Sequence, residues 1–338
     1  MDKIRFGVVR INHGHIYAQV ETLLRAGAQC VGFYAPEDDL AARFAARYPQ
    51  IPRLDTPARI LEDESVALIT TAAIPNERAP LGIAAMRHGK DFLTDKPGFT
   101  TLEQLAEARR VQTETGRLYA IYFGRFDSRA TLKAGELVRA GAIGQVVHFT
   151  GLGPHRAGLA SRADWFFVRA KYGGVITDIG SHQFDHFLYF TGSTRADVVG
   201  AQVANYQHPE YPELEEIGEV MLHGDRGTGY LRVDWLSPDG LPTWGDTRLF
   251  ILGTEGYIEA RLTIDLAGRS GTDHLFLVNR SGVEYVDCSQ VALTFGRDLL
   301  ADIRQRTQTA IDQEASFLAC ELSLRAQAAA KRLGHLRA

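Results

Sequence analysis

The spacing of apolar residues divides the chain into two regions. Up to about residue 122, short apolar runs alternate with segments whose apolar side chains recur every three or four positions. "IRFGVV" precedes "HIYAQVETLLRAG", where Ile16, Val20, Leu23 and Leu24 keep helical spacing and Gly27 suits the C-terminal cap. The alternation continues through "CVGFY", "LAARFAARY", "ALITTAA", "RAPLGIAAMRHG", "DFLTD", "TLEQLAEARRVQTETG" and "LYAIYF". Strands this apolar, separated by helices, predict a parallel sheet covered on both faces. Residues 1–122 therefore read as a doubly wound α/β domain whose ligand lies beyond the carboxyl ends of its strands.

Beyond residue 123 the pattern changes. "SRATLKAGELVRAG" has helical spacing, "QVVHFTGLG" reads as a strand, and Val175 to Phe190 read as one long helix. From about 196 strand signals follow in succession, among them "ADVVGAQVANY", "EVMLHG", "TGYLRVDW", "RLFILGT" and "GYIEARL", divided by Gly, Asp and Pro. Successive strands with turn signals predict a large, mostly antiparallel sheet. An Ala-rich stretch from about 298 to 332 returns to helix. Residues 123–338 thus read as a second α/β domain.

Composition narrows the class. The chain has 338 residues, enough for two cores, with 45% hydrophobic and 23% charged residues. A net charge of -4 with no basic stripe argues against nucleic acid as a partner. Cys30, Cys288 and Cys320 lie far apart, which argues against a disulfide framework or a cysteine-built zinc site. No run approaches the ~18 to 20 apolar residues of a membrane span. The opening apolar run is too short for a signal peptide, and a cytoplasmic protein is expected.

Three stretches carry candidate chemistry. In "GGVITDIGSHQFDHFLYF", residues 173 to 190, a helix would put Asp178, Ser181, His182 and Asp185 on one face among apolar neighbours. Two carboxylates beside a histidine would hold its tautomer, the equipment of a general base; a polar seam inside the fold is the plainer reading. No metal is expected there. His182 and His186 stand four apart with Asp178 near, but Asp185 and His186 diverge around the helix and no HExxH or cysteine partner supports ligation. In "DFLTDKPGFTT", Lys96 follows an apolar strand and precedes Pro97, at the sheet edge where ligands gather, and Thr100 or Thr101 can cap the next helix. In "TTAAIPNERAP", Ile74, Pro75 and Asn76 reach the same edge. Arg125, His155, Arg156 and Trp165 fall in segments expected to border the substrate and offer hydrogen-bond donors and an aromatic face.

The first turn, "GVVRINHGHIY", departs from the G-x-G-x-x-G of a dinucleotide site, with Arg10, Asn12 and His15 in the glycine places. Main-chain N–H groups at the following helix would still attract an anion, and Arg10, His13 and His15 add charge or hydrogen bonds. At the end of the second strand the ribose position falls on Ala35, with Glu37 and Asp38 just beyond and no Arg or Lys adjacent in sequence, which favours NAD over NADP.

Taken in order, the opening turn, "AAIPN", "DKP" and "GGVITDIGSH" resemble the glucose–fructose oxidoreductase / inositol dehydrogenase (Gfo/Idh/MocA) family of NAD(P)-dependent oxidoreductases. The resemblance covers nearly the whole chain. It implies a Rossmann domain followed by an α/β domain whose open sheet supports a homodimer or homotetramer. It implies cofactor contacts from Ile11, Asn12 and His13, from Ile74 and Pro75, and from Asp95 and Lys96. It places Lys96 and His182 at the reacting oxygen, His182 exchanging its proton, with Asp178 as the third catalytic residue and substrate-anchoring carboxylate; Asp185, on the same face, is expected among the substrate contacts. The implied reaction moves a hydride between nicotinamide and a carbinol or carbonyl carbon of a sugar, cyclitol or related polyhydroxy compound. An NAD-dependent glycosidase-like enzyme of the same fold, or a non-catalytic dinucleotide or sugar sensor, are the alternatives.

Overall fold

The computed structural model describes residues 3–334. Strands β1 (Arg5–Val9), β2 (Gln29–Tyr34), β3 (Leu68–Thr71), β4 (Asp91–Asp95) and β5 (Tyr119–Tyr122) alternate with helices α1 (His15–Arg25), α2 (Asp38–Arg47), α3 (Ala58–Leu61), α4 (Pro75–Arg87) and α5 (Leu102–Thr115). The strands form one parallel sheet in the order β2-β1-β3-β4-β5. β3, β4 and β5 are buried throughout, as expected for strands covered on both faces. Helix α1 turns Ile16, Val20 and Leu23 into the core, and Gly27 follows it at φ +91°. Thr101 caps α5, its hydroxyl accepting from the Gln104 amide at 3.2 Å.

The remaining elements are α6 (Arg129–Arg139), β6 (Val146–Pro154), α7 (Arg169–Tyr172), α8 (Val175–Asp178), α9 (Gly180–Thr191), β7 (Ala196–Ala204), β8 (Ile217–Gly224), β9 (Gly227–Asp234), β10 (Arg248–Gly253), β11 (Gly256–Arg261), β12 (His274–Asn279), β13 (Gly282–Val286), α10 (Phe295–Gln305), α11 (Gln313–Ala329) and β14 (Lys331–Arg332). They include a nine-stranded sheet in the order β13-β12-β11-β10-β6-β9-β8-β7-β14. Its pairs are antiparallel except β6–β9 and β14–β7. Alternation sets its faces. Val220, Leu222, Leu231, Phe149, Ile251, Ile258 and Leu275 are buried on one side, the side against which α9 and α6 pack.

Three expectations are corrected. The long helix from Val175 is interrupted at Ile179, giving α8 and α9, and runs on to Thr191. The final helix is two helices. Arg306 takes a left-handed conformation (φ +56°) that ends α10, and the buried Asp302 carboxylate then collects the Thr309 and Ala310 amides at 3.0 and 2.7 Å and the Thr307 hydroxyl at 2.6 Å. Finally, the chain divides into two compact units, and residues 294–317 belong with those up to 122 rather than with 123–293 and the residues from 318. The reason is packing. The apolar face of α10, Leu299, Leu300 and Ile303, is buried, and Gly296 lies so close to α1 that a Cβ would meet the Thr22 carbonyl oxygen at 2.6 Å. Arg306 also forks the buried Asp91 at 2.6 and 2.8 Å. Among the described residues no helix is long and apolar enough to cross a membrane.

Candidate active site

The carboxyl ends of β1, β3 and β4 meet around one buried carboxylate, Asp95. Its Oδ1 accepts the Lys96 amide at 2.8 Å and lies 2.9 Å from His15 Nδ1; its Oδ2 accepts from Arg78 Nη2 at 3.1 Å and lies 3.2 Å from His13 Nδ1. Burial alone would raise the pKa of Asp95. His15, Arg78 and the hydrogen bond from His13 overcome it and hold the carboxyl well below its usual range. Arg78, itself 1% exposed, also donates from Nε to Ala73 O at 2.8 Å and from Nη1 to the carbonyls of Lys96 and Pro97. It thereby ties the end of β3 to the end of β4. Lys96 is buried beside this hub. Asp95, expected as a cofactor contact, is bonded to these protein partners. His15 and Arg78 were not expected in the hub; nothing in their spacing announces a carboxylate 80 or 17 residues away.

The edited turn keeps the backbone of a glycine turn. Arg10 sits at φ +63°, the left-handed region that glycine enters freely. The Arg10 amide donates to Tyr34 O at 2.8 Å and its carbonyl accepts the Ala72 amide at 3.2 Å, so both neighbouring strands hold the strained residue in place. Its guanidinium pairs with Glu77 at 3.1 Å. Ile11 is buried. Burial, then the adjacent His15, push the His13 imidazole down to about 4 against the pull of Asp95. Ile74 caps α4 and Pro75 opens it.

These features fit a dinucleotide. Gly14, the N-cap of α1, has open space where a Cβ would stand, and the first turn of α1 carries no acidic residue. His13, His15 and Asp95 also bring ligand atoms within 4.8 Å of one another, a spacing a metal ion can use. With Arg78 bonded to the same carboxylate and Lys96 adjacent in the chain, the local charge suits an anion better than a cation.

At the β2 end, Asn12 Nδ2 donates to Glu37 Oε1 at 2.9 Å. Arg53, remote in sequence, reaches the same corner, donating to Ala35 O at 2.9 Å and pairing with Asp38 at 2.8 Å. The expectation that no cation lies near the ribose position is corrected by this guanidinium, which folding brings in from outside the β2 segment.

In the second unit the polar stripe is built from α8 and α9. Asp178 is 8% exposed and Ser181 is buried, its hydroxyl donating to Asp178 O at 3.0 Å. The carboxylate of Asp178 acts electrostatically on Arg162, whose pKa burial lowers and Asp178 raises, with a net fall. His182 Nδ1 accepts the main-chain N–H of Gly124 at 3.0 Å. A backbone amide thus takes part in fixing its tautomer. Asp185 instead binds Arg125 Nε and Nη2 at 2.8 and 3.0 Å, a two-pronged pair. Burial opposes the charge on Arg125 and Asp185 more than compensates, so its pKa is raised. Its guanidinium also lies over the Phe126 and Tyr189 rings at 4.4 and 4.6 Å. Arg125 and Asp185, both expected to contact substrate, are therefore each other's partners.

His155 Nδ1 donates to Gly153 O at 3.0 Å, so this nitrogen carries the proton. Its ring packs against Trp235 and Trp244 at 5.5 and 4.6 Å. Arg162 lies over Phe166 and Trp235 at 4.4 and 4.8 Å. Trp165 is half-buried with its edge toward Phe166, and Arg156 Nη2 donates to Leu241 O. His186 is buried, its nitrogens find no hydrogen-bond partner among the described residues, and burial lowers its pKa to about 4.

Comparison with known proteins agrees with this frame. Residues 4–123 match the oxidoreductase family with an NAD-binding Rossmann fold, and residues 131–259 match the GFO/IDH/MocA C-terminal domain. The crystal structure of a protein from Erwinia carotovora atroseptica SCRI1043, classed as an oxidoreductase, is 45% identical, with a TM-score of 0.96 over 98% of this chain and 100% of that one. The oxidoreductase YdgJ of Escherichia coli K12, itself uncharacterized, is 26% identical over 235 residues, 66% of this chain and 65% of its own. Levoglucosan dehydrogenase of Pseudarthrobacter phenanthrenivorans is 27% identical over 192 residues, 56% of this chain and 48% of its own. The chain thus spans about half to two thirds of the length of these curated relatives. It belongs to the GFO/IDH/MocA family of oxidoreductases, with an NAD-binding Rossmann fold.

Proposed function

We propose that the chain transfers a hydride between a nicotinamide cofactor and a carbinol or carbonyl carbon of a sugar, cyclitol or related polyhydroxy compound. Bound NAD(P) supplies the hydride acceptor or donor. Lys96 stabilises charge on the reacting oxygen, His182 meets that oxygen, and Asp178 anchors a substrate hydroxyl. The observation that supports this reading best is the turn after β1. It has lost its glycines yet keeps a left-handed Arg10, an open N-cap at Gly14 and no acid in the first turn of α1. A turn released from anion binding would have no reason to hold an arginine in a strained backbone. The similarity to a levoglucosan dehydrogenase supports a polyhydroxy substrate.

The reading includes a preference for NAD. Glu37, held by Asn12, would repel a 2′-phosphate, and Arg53 is already engaged by Ala35 and Asp38. Aromatic and cationic side chains around His155, Arg162 and Trp165 are proposed to face the substrate. A homodimer or homotetramer in the cytoplasm completes the proposal.

The test is titration with NADH and NADPH, followed by nicotinamide fluorescence, and then turnover of NAD with a panel of sugars and cyclitols. Tighter binding of NADH and net reduction of NAD are expected. Binding of neither cofactor sinks the oxidoreductase reading. Glycoside cleavage without net change in NAD would replace it with the glycosidase-like alternative.

A further inference from the structure

We infer that Arg162 holds a carboxylate, and that the polyhydroxy substrate is therefore a sugar acid of the aldonate or uronate class. Arg162 lies between the helical turns Leu159–Ser161 and Asp164–Phe167. Its guanidinium rests over Phe166 and Trp235, 4.4 and 4.8 Å from the ring centroids. Nε donates to Ala157 O at 2.8 Å, and Nη2 makes one long contact with Arg156 O at 3.5 Å. The group is thus fixed by its stem and its aromatic shelf, while Nη1 has no hydrogen-bond partner among the described residues.

What sets Arg162 apart is its missing counter-ion. Arg125, Arg169, Arg248 and Arg261, partly buried like it, each grip a carboxylate, of Asp185, Glu215, Asp246 and Glu259, at 2.5 to 3.1 Å. Arg162 has no ion pair among the described residues, and Asp178 acts on it through its field without touching it. Burial opposes the charge by more than Asp178 supports it, yet a guanidinium cannot shed its proton. Holding such a charge partly out of water without a partner costs stability, and an incoming anion offsets that cost.

The arginine also stands where a substrate would. β6 and β9 run parallel, so His155 and Trp235 follow their carboxyl ends side by side, their rings 5.5 Å apart. Gly153, two residues before His155, lies against Ile179, which a Cβ there would touch at 3.5 Å. Ile179 follows Asp178 and leads into α9, three residues before His182. The shelf under Arg162 and the stripe of Asp178 and His182 therefore share one end of the sheet. The charge count selects the anion. Arg156, next along the chain, is already paired with Asp239 and bonded to Leu241 O. One cation beside Asp178 balances a single negative charge, and its planar fork matches the two oxygens of a carboxylate. A phosphate would bring a second charge with nothing to meet it. Assigning the anion to the substrate rests on the oxidoreductase reading, in which Asp178 anchors a hydroxyl of the same molecule.

The test is calorimetric binding to the full chain, with and without NADH. The probes are D-gluconate, D-galactonate, D-glucuronate and D-galacturonate, each against its neutral primary amide, and D-glucose 6-phosphate. At least one acid should bind about 10- to 100-fold tighter than its amide, the size of one charge-assisted fork. Arg162→Gln should bring that acid down to the affinity of its amide. Arg162→Lys, which keeps the charge and loses the fork, should fall between. The inference is overturned if no acid binds, if acids bind no tighter than their amides, or if the phosphate binds tighter than every acid. A preference for the acid that survives Arg162→Gln overturns it as well. Should Arg162→Gln fail to fold, Arg162→Lys and the acid-to-amide ratio of the unmodified chain decide. Reduction of NAD with neutral sugars alone keeps the oxidoreductase reading and removes the sugar acid. A sugar acid held by Arg162 with no turnover of NAD or NADP does the reverse.

Discussion

A single buried carboxylate organises the ends of β1, β3 and β4, and it fixes how the fold responds to acid. Asp95 is held charged by His15, Arg78 and His13, and His13 is held neutral, its pKa pushed down to about 4. An unfolded histidine protonates near pH ~6.5. Between that value and about 4 the unfolded state therefore binds more protons than the folded one, and stability must fall as pH falls. His186, also lowered to about 4, acts in the same direction. Each histidine contributes at most about 3 kcal/mol over this window. Asp95 adds its own loss below the usual carboxylate range, because its folded pKa is depressed. Denaturant melts at a series of pH values should show stability declining from about pH 6.5 downward. His186→Leu should make the decline shallower, since neither nitrogen of that ring has a partner to lose. A flat profile from neutral pH to about 4.5 would refute the assignment. A second residue-level expectation concerns the cofactor. Glu37→Ala should weaken NADH binding and narrow the NADH-to-NADPH preference by about tenfold, the size of one lost charge-assisted hydrogen bond. An unchanged ratio would place the ribose elsewhere than at Glu37.

At the level of elements, what could be read in the sequence depended on whether the deciding interaction was local. The parallel strands and their helices follow from apolar spacing and end caps that lie within each segment. The split of the last helical stretch does not. Residues 306–312 contain neither glycine nor proline. The stop comes from Asp91, 215 residues away, which holds Arg306 in a left-handed turn, and from Asp302 beneath it. The polar stripe on α8 and α9 was legible for the opposite reason, since an Asp and a His among apolar neighbours mark a face with a purpose. Its partner was not, because Gly124 contributes only a main-chain N–H, which no side-chain pattern signals. The Arg306 site offers a direct test. Arg306→Ala loses the pair with Asp91 and keeps the strained backbone, whereas Arg306→Gly loses the pair but relieves the strain. Arg306→Ala should cost about 2 kcal/mol, and Arg306→Gly about 1 kcal/mol less, measured by urea denaturation. If Ala proved the better tolerated, the positive φ would not be a cost that the ion pair offsets.

For the whole molecule the open question is what covers the second face of the nine-stranded sheet. Cross-strand register places Met221, Tyr230, Thr150, Phe250 and Glu259 in one row across β8, β9, β6, β10 and β11. Leu252 and Tyr257 lie two residues along on the same face, opposite each other. This face is opposite to the one lined by Leu222, Leu231, Phe149, Ile251 and Ile258, against which α9 and α6 pack. Met221 is 56%, Leu252 46% and Tyr257 44% exposed on this face. An isologous pairing of two such faces would bury these side chains at once. Sedimentation of the unmodified chain should therefore report a dimer or tetramer at micromolar concentration. Met221→Lys combined with Leu252→Lys should shift it to monomer while leaving the fold intact. Both side chains point away from the buried face, so the charge meets water in the separated subunit and a like charge in the assembly. An assembly that survives both substitutions would be built through another surface. In that case these exposed side chains would have to be explained within one chain.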